Sequence, residues 1–187
     1  MLSSPPDEIE EPPIVLRRYR SGDFPALLEA VSTSVDHLRP WLAWASAEPL
    51  EQALAEFMSN SIEAFDRGDN FDYGLWNDAE TRLVGGAGLH PRLGLGRLEI
   101  GYWVGAGWLR RGFASSAARA LTRTAFELPE IEEVHIRCDE ANIASARVPR
   151  TLGFQLMRIV DDEVSAPAEV GRSMDWVLSV SDQQREN

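Results

Sequence analysis

Residues 97–127, "RLEIGYWVGAGWLRRGFASSAARALTRTAFE", constrain the fold more than any other stretch. "RLEIGYWV" alternates and reads as a strand. A short turn with Gly105, Gly107 and Gly112 follows. Ala114, Ala117, Ala118, Leu121 and Ala125 then fall on one face of a helix. Such a junction leaves the first N–H groups of the helix without partners, and the helix dipole puts positive potential beside them. That is an anion site. Gly112 lets backbone come close to a ligand, and Ala114 and Ser115 do not block it. Arg110 and Arg111 add charge at the mouth; the bland alternative for this pair is a solvated turn.

The spacing excludes the two common nucleotide patterns. The Gly-Lys-Ser/Thr of a phosphate loop is missing. Gly105 and Gly107 begin a dinucleotide fingerprint, but Arg110 stands at its third glycine, and no suitable acidic residue follows about 20 positions on.

The rest of the chain alternates between the two element types. "IVLRRY" reads as a strand and residues 23–36 as a helix. Leu50, Leu54, Phe57, Met58, Ile62 and Phe65 form a helical stripe. "FDYGLW" and "RLVGGAGLH" read as a hairpin, and "EVHIRCD" as a strand. Residues 142–152 read as a helix stopped by Gly153. "FQLMRIV" and "RSMDWVLSV" are the last strands. The order β, α, α, β, β, β, α, β, α, β, β predicts an α/β (α+β) domain with a mixed sheet. One domain spans 13–180, between an acidic, proline-rich flexible arm over 1–12 and a frayed tail over 181–187.

Charge narrows the partners. Eighteen Lys and Arg against 30 Asp and Glu give a net charge of -12. That argues against nucleic acid as a partner and mildly favours a cationic one. No apolar run approaches the roughly 18 residues of a membrane span, so no membrane partner is expected. The start lacks a signal-peptide pattern, and the single cysteine, Cys138, makes no internal disulfide. The expected location is cytoplasmic. Three histidines and one cysteine are scattered, so no metal site is expected.

"LEIGYWV", "RRGFASSAARALTRTAF" and "CDEANIASARVPRTLGF", in this order and with "HLRPWLAWA" before them, resemble the GCN5-related N-acetyltransferase (GNAT) superfamily. They are most similar to its RimJ/RimL-like branch of ribosomal-protein N-terminal acetyltransferases, from about residue 13 to 180. The resemblance implies a mixed, mostly antiparallel, splayed sheet flanked by helices. It implies acetyl-CoA as co-substrate and no metal. The pyrophosphate would lie on amides of Arg110, Arg111, Gly112, Phe113 and Ala114, beside Ser115. Leu109 stands where the family pattern has Gln or Arg, a departure. The pantetheine would run along Trp103 and Val104 and touch Asn142. Ser145 matches the position that donates to the leaving thiolate. Trp41 and Trp44 read as partly core, in a segment that in the family borders the acceptor cleft, so either is a candidate to face the substrate. The acceptor would be a primary amine, such as a protein N-terminus; relatives of the same fold act on polyamines and antibiotics and are often dimers.

Glu99 shares a strand face with Gly101 and Trp103, opposite Leu98, Ile100, Tyr102 and Val104. If both faces are covered, burial raises its pKa towards that of a useful general base, acting on the amine through water. The bland alternative is a wet strand end. The Val104 N–H is expected to hold the oxyanion of the tetrahedral intermediate. His90 ends a strand and is a candidate for the acceptor side. His135 reads as a strand residue with a satisfied ring, and Cys138 as a small buried hydrophobe. Asn142 also fits a plain N-cap. Pro149 lies inside a helix and removes the bond to the Ser145 carbonyl, so a kink or an irregular turn is expected there. The Leu109 and Pro149 departures leave a second reading open, a non-catalytic domain that binds coenzyme A.

Overall fold

The computed structural model describes residues 3–77 and 79–183. Eight strands form one sheet: β1 (Glu8–Glu11), β2 (Ile14–Arg18), β3 (Phe71–Asn77), β4 (Leu83–His90), β5 (Arg97–Val104), β6 (Glu133–Asp139), β7 (Gln155–Asp161) and β8 (Arg172–Ser179). Their spatial order is β1-β2-β3-β4-β5-β6-β8-β7. Every neighbouring pair is antiparallel except β5 with β6. The long connection between those two carries α4 (Phe113–Glu127), as a parallel crossover requires.

Two cores flank the sheet. On one face α4 and α5 (Ile143–Thr151) cover Leu98, Ile100 and Val104 of β5. The predicted helical face is buried at Ala117, Ala118, Leu121 and Ala125, with Ala114 at its edge. On the other face lie α1 (Phe24–Ser32), α2 (Val35–Leu38) and α3 (Leu50–Arg67), packed with Tyr19, Trp76 and Leu83. The helix expected over 23–36 is therefore two helices, parted at Thr33 and Ser34.

Two expectations are corrected. Residues 8–11, taken as part of a flexible arm, form β1. Its acidic composition hid one buried contact, Ile9, and a clamp: Glu11 accepts from Arg119 Nε (2.8 Å) and Arg123 Nη1 (3.1 Å) of α4. The irregular turn expected as one outcome at Pro149 is also missing, because α5 runs through it to Thr151. Gly153, at φ +81°, then reverses the chain, and the Phe154 N–H reaches back to the Pro149 carbonyl at 3.0 Å. Of the expected tail, Val180–Gln183 forms a short helix, α6, and residues 184–187 lie outside the described residues.

The feature that makes room for a site is the seam between β5 and β6. Pairing runs from Arg97↔Glu133 to Ile100↔Ile136 and stops. Beyond it β5 stays with β4, and β6 stays with β8 as far as Asp139. The two strands diverge into a wedge.

Candidate active site

A cleft of about 690 Å³ occupies that wedge. One wall is β5 from Glu99 to Val104, the other Arg137, Cys138 and Asp139 of β6, and the floor is the start of α4 with Asn142 and Ser145. The backbone of the divergent part is open. The Gly105 N–H donates to the Val84 carbonyl at 2.9 Å, so it faces β4. N–H groups alternate sides along a strand, so those of Tyr102 and Val104 face the wedge. Trp103 was expected to offer its backbone there. Its carbonyl instead lies against Gly85 of β4, and the donors come from its neighbours on either side.

At the base of the wedge the turn enters α4. Gly112 has φ +80°, and a Cβ there would meet nothing within 4 Å. The glycine is required by its left-handed backbone and not by crowding. No side chain caps the helix, so the first-turn N–H groups of Phe113, Ala114 and Ser115 stay open to the cleft. Arg110, at φ +59°, lines the cleft with Leu109. Arg111 is turned away, with its guanidinium 4.8 Å from the Trp108 ring centre, and Trp108 leans on Phe113. The adjacent arginines thus do different things: one lines the cleft and one braces the turn.

Asn142 caps α5, its Oδ1 accepting the Ser145 N–H at 3.1 Å. Asn142 also lines the cleft. The Tyr102 phenol donates to the Ser145 carbonyl at 3.1 Å and lies 3.2 Å from Ser145 Oγ. Burial raises the Tyr102 pKa well above its usual value, partly offset by Ser145, so the phenol keeps its proton. Cys138 lines the same corner. Burial pushes its thiol up to about 11, which fits a small hydrophobe and not a nucleophile.

Glu99 is covered on both strand faces and only 4% exposed. Burial pushes its carboxyl up, as expected from the sequence, but two arginines outweigh burial. Arg92 grips it through Nε (3.0 Å) and Nη2, and Arg137 through Nε (2.9 Å) and Nη2 (2.7 Å). The net direction is down. The expected rise is therefore corrected: Glu99 is an ionised carboxylate held at the cleft wall. Sequence reasoning missed Arg92, Arg137 and the contact of Tyr102. Arg137 follows His135 by two positions and so shares its face, but its distance from Glu99 depends on a parallel pairing that no local pattern encodes.

Of the residues expected beside the acceptor, Trp41 lines the cleft, with His37 and Leu38 of α2. Trp44 is 40% exposed and stacks edge-on against Trp103, 5.9 Å between centres. His90 lies behind the wall, its Nδ1 3.3 Å from Asn70 and its Nε2 3.9 Å from Asp72. Burial lowers its pKa, so the ring is neutral near pH 7. His135 is buried, with Nδ1 2.9 Å from Asp175. No group of three His, Cys, Asp or Glu side chains suited to a metal occurs among the described residues.

Comparison with known proteins places this geometry. The family model described as an acetyltransferase (GNAT) domain matches residues 14–155. The fold is similar to RimL, a ribosomal L7/L12 α-N-protein acetyltransferase solved in complex with coenzyme A. That match has a TM-score of 0.82 at 20% identity, over 94% of this chain and 99% of that one. It is similar to the microcin C7 self-immunity acetyltransferase MccE, solved with acetyl-CoA and AMP: TM-score 0.82 at 15% identity, over 90% and 93% of the two chains. A third is the ribosomal-protein-S5-alanine acetyltransferase of Vibrio fischeri: TM-score 0.78 at 15% identity, over 94% and 97%. The chain therefore belongs to the GNAT family of acetyltransferases.

Proposed function

We propose that this chain transfers an acetyl group from acetyl-CoA to a primary amine by direct attack of the amine on the thioester. The observation that carries the reading is the wedge between β5 and β6, which opens onto the uncapped start of α4. A long, narrow ligand with an anionic middle suits both parts. The amides from Arg110 to Ser115 take the pyrophosphate, with the Arg110 charge beside it. The backbone of Tyr102 and Val104 and the free amide of Asn142 take the pantetheine. RimL is solved with coenzyme A and MccE with acetyl-CoA, which supports the same donor here.

The amine nitrogen adds to the thioester carbon to form the C–N bond, and the C–S bond breaks as the tetrahedral intermediate collapses. The Val104 N–H holds the charge on the thioester oxygen, and the Ser145 hydroxyl donates to the departing thiolate. The amine's proton passes to Glu99 through water. Its arginine partners make Glu99 a weak base that rests ionised, so the amine must arrive neutral and gives up its proton only after the C–N bond has formed. The acceptor enters past Trp41. A protein N-terminus is favoured by the neighbours named for ribosomal-protein acetylation, RimL and the Vibrio fischeri enzyme. A cytoplasmic location and a homodimer go with this reading.

The test is release of coenzyme A thiol with peptide N-termini, polyamines and antibiotic amines. Glu99→Gln and Ser145→Ala are each expected to lower kcat at saturating acetyl-CoA, by about 10²-fold for a lost donor to the transition state. Unchanged turnover in both variants removes these roles. Tight binding of acetyl-CoA without thiol release from any amine leaves a non-catalytic binding domain.

A further inference from the structure

We propose that Tyr102 is a positioning residue for Ser145, anchored by the carbonyl that Pro149 leaves without its helical donor. This rests on the proposed role of Ser145 at the leaving sulfur. In a regular helix the N–H of residue 149 would donate to the carbonyl of residue 145. Proline has no N–H. The helix is nevertheless unbroken from Ile143 to Thr151, and the Tyr102 phenol takes the missing place at 3.1 Å.

The geometry then fixes the protons. A phenol has one proton, and a carbonyl only accepts. The Tyr102 proton is committed to the Ser145 carbonyl. Its oxygen lone pair, 3.2 Å from Ser145 Oγ, is left to accept from the serine hydroxyl. Ser145 is thereby held facing β5, on the cleft side where the wedge begins. Its one proton needs only a rotation about Cβ–Oγ to move from the phenol to a thiolate in the wedge. No bond other than hydrogen bonds is made or broken. Tyr102 acts through Ser145 and from a different element, so β5, which carries the Val104 N–H, and α5, which carries the hydroxyl, are fixed relative to each other.

Two cycles test this. Tyr102→Phe removes the hydroxyl and keeps the ring. It is expected to lower kcat at saturating acetyl-CoA about 5- to 10-fold, the size of one neutral hydrogen bond, with KM for acetyl-CoA little changed. In the S145A background the same change is expected to have no further effect on kcat. An equal loss in both backgrounds means that Tyr102 acts without Ser145 and overturns the proposal. The second cycle reads stability. Pro149→Ala supplies the missing N–H, so Tyr102→Phe is expected to shift the urea midpoint less in the P149A background than in the parent. Equal shifts overturn the anchoring. This cycle needs no turnover, so a parent that releases no thiol defeats the proposed function while the anchoring is still decided.

Discussion

Glu99 shows how a side chain's charge state follows from its neighbours. The two guanidiniums lower its pKa when folded. The unfolded reference is about 4.3. Folding stability from this group is therefore fully present above that value and is lost as pH falls through the lowered one. Glu99→Gln is expected to cost about 1–2 kcal/mol at pH 7, discounted because Arg92 and Arg137 are 56% and 37% exposed in their side chains. The difference from the parent should shrink as pH falls towards 3, read by urea unfolding at each pH. The same ionised state predicts that the acid limb of kcat/KM follows the ammonium of the acceptor. Replacing it by an amine of lower pKa should move the limb down by the same amount; a fixed limb would mean a titrating enzyme group instead. Cys138 gives a second check: with its thiol at about 11, alkylation by iodoacetamide at pH 8 should be far slower than that of a free thiol. Strand alternation alone gave the face of Glu99 but left its burial open between a covered strand and a wet strand end. The sign of its pKa was not readable, because Arg92 and Arg137 reach it from outside its strand.

At the scale of elements, the turn into α4 was legible because glycine, small residues and an apolar stripe each have a local cause. Gly112→Ala is expected to cost about 1 kcal/mol, since the Cβ meets nothing but the left-handed backbone disfavours it. It should raise KM for acetyl-CoA more than it lowers kcat, because the first-turn amides shift while Glu99 and Ser145 stay. Strand β1 was not legible. Three of its four residues are glutamates, and its role depends on pairing with β2 and on the reach of Glu11 across to α4. Deleting residues 1–11 should lower Tm by about 4–10 °C, from the loss of Ile9 burial and the clamp. An unchanged Tm would mean that the strand adds nothing to the fold. Pro149 was misread for a related reason. The local rule says that a proline costs the helix a bond, and it omits that another element can supply the donor.

For the whole molecule, the sequence carried the family and the order of elements from β3 to β8, because both depend on segments met one after another. The sheet order β6-β8-β7 and the parallel seam depend on contacts between distant segments. That seam has a mechanical consequence. The backbone ladder between β5 and β6 has four residue pairs, with side-chain ion pairs Arg97–Glu133 and Arg137–Glu99 beside it, so the sheet is two stiff panels, β1–β5 and β6–β8, joined along one short edge. A ligand lying in the wedge acts as a stitch that closes the rest of that edge. Donor binding should therefore be felt as rigidity well beyond the atoms it touches. Amide exchange at Tyr102 and Val104, fast in the free protein, should slow when coenzyme A is added. The slowing should extend into the far panel, along the β6–β8 pairing from Arg137 to Asp139. Protection confined to the contact residues would mean that the two panels already move as one.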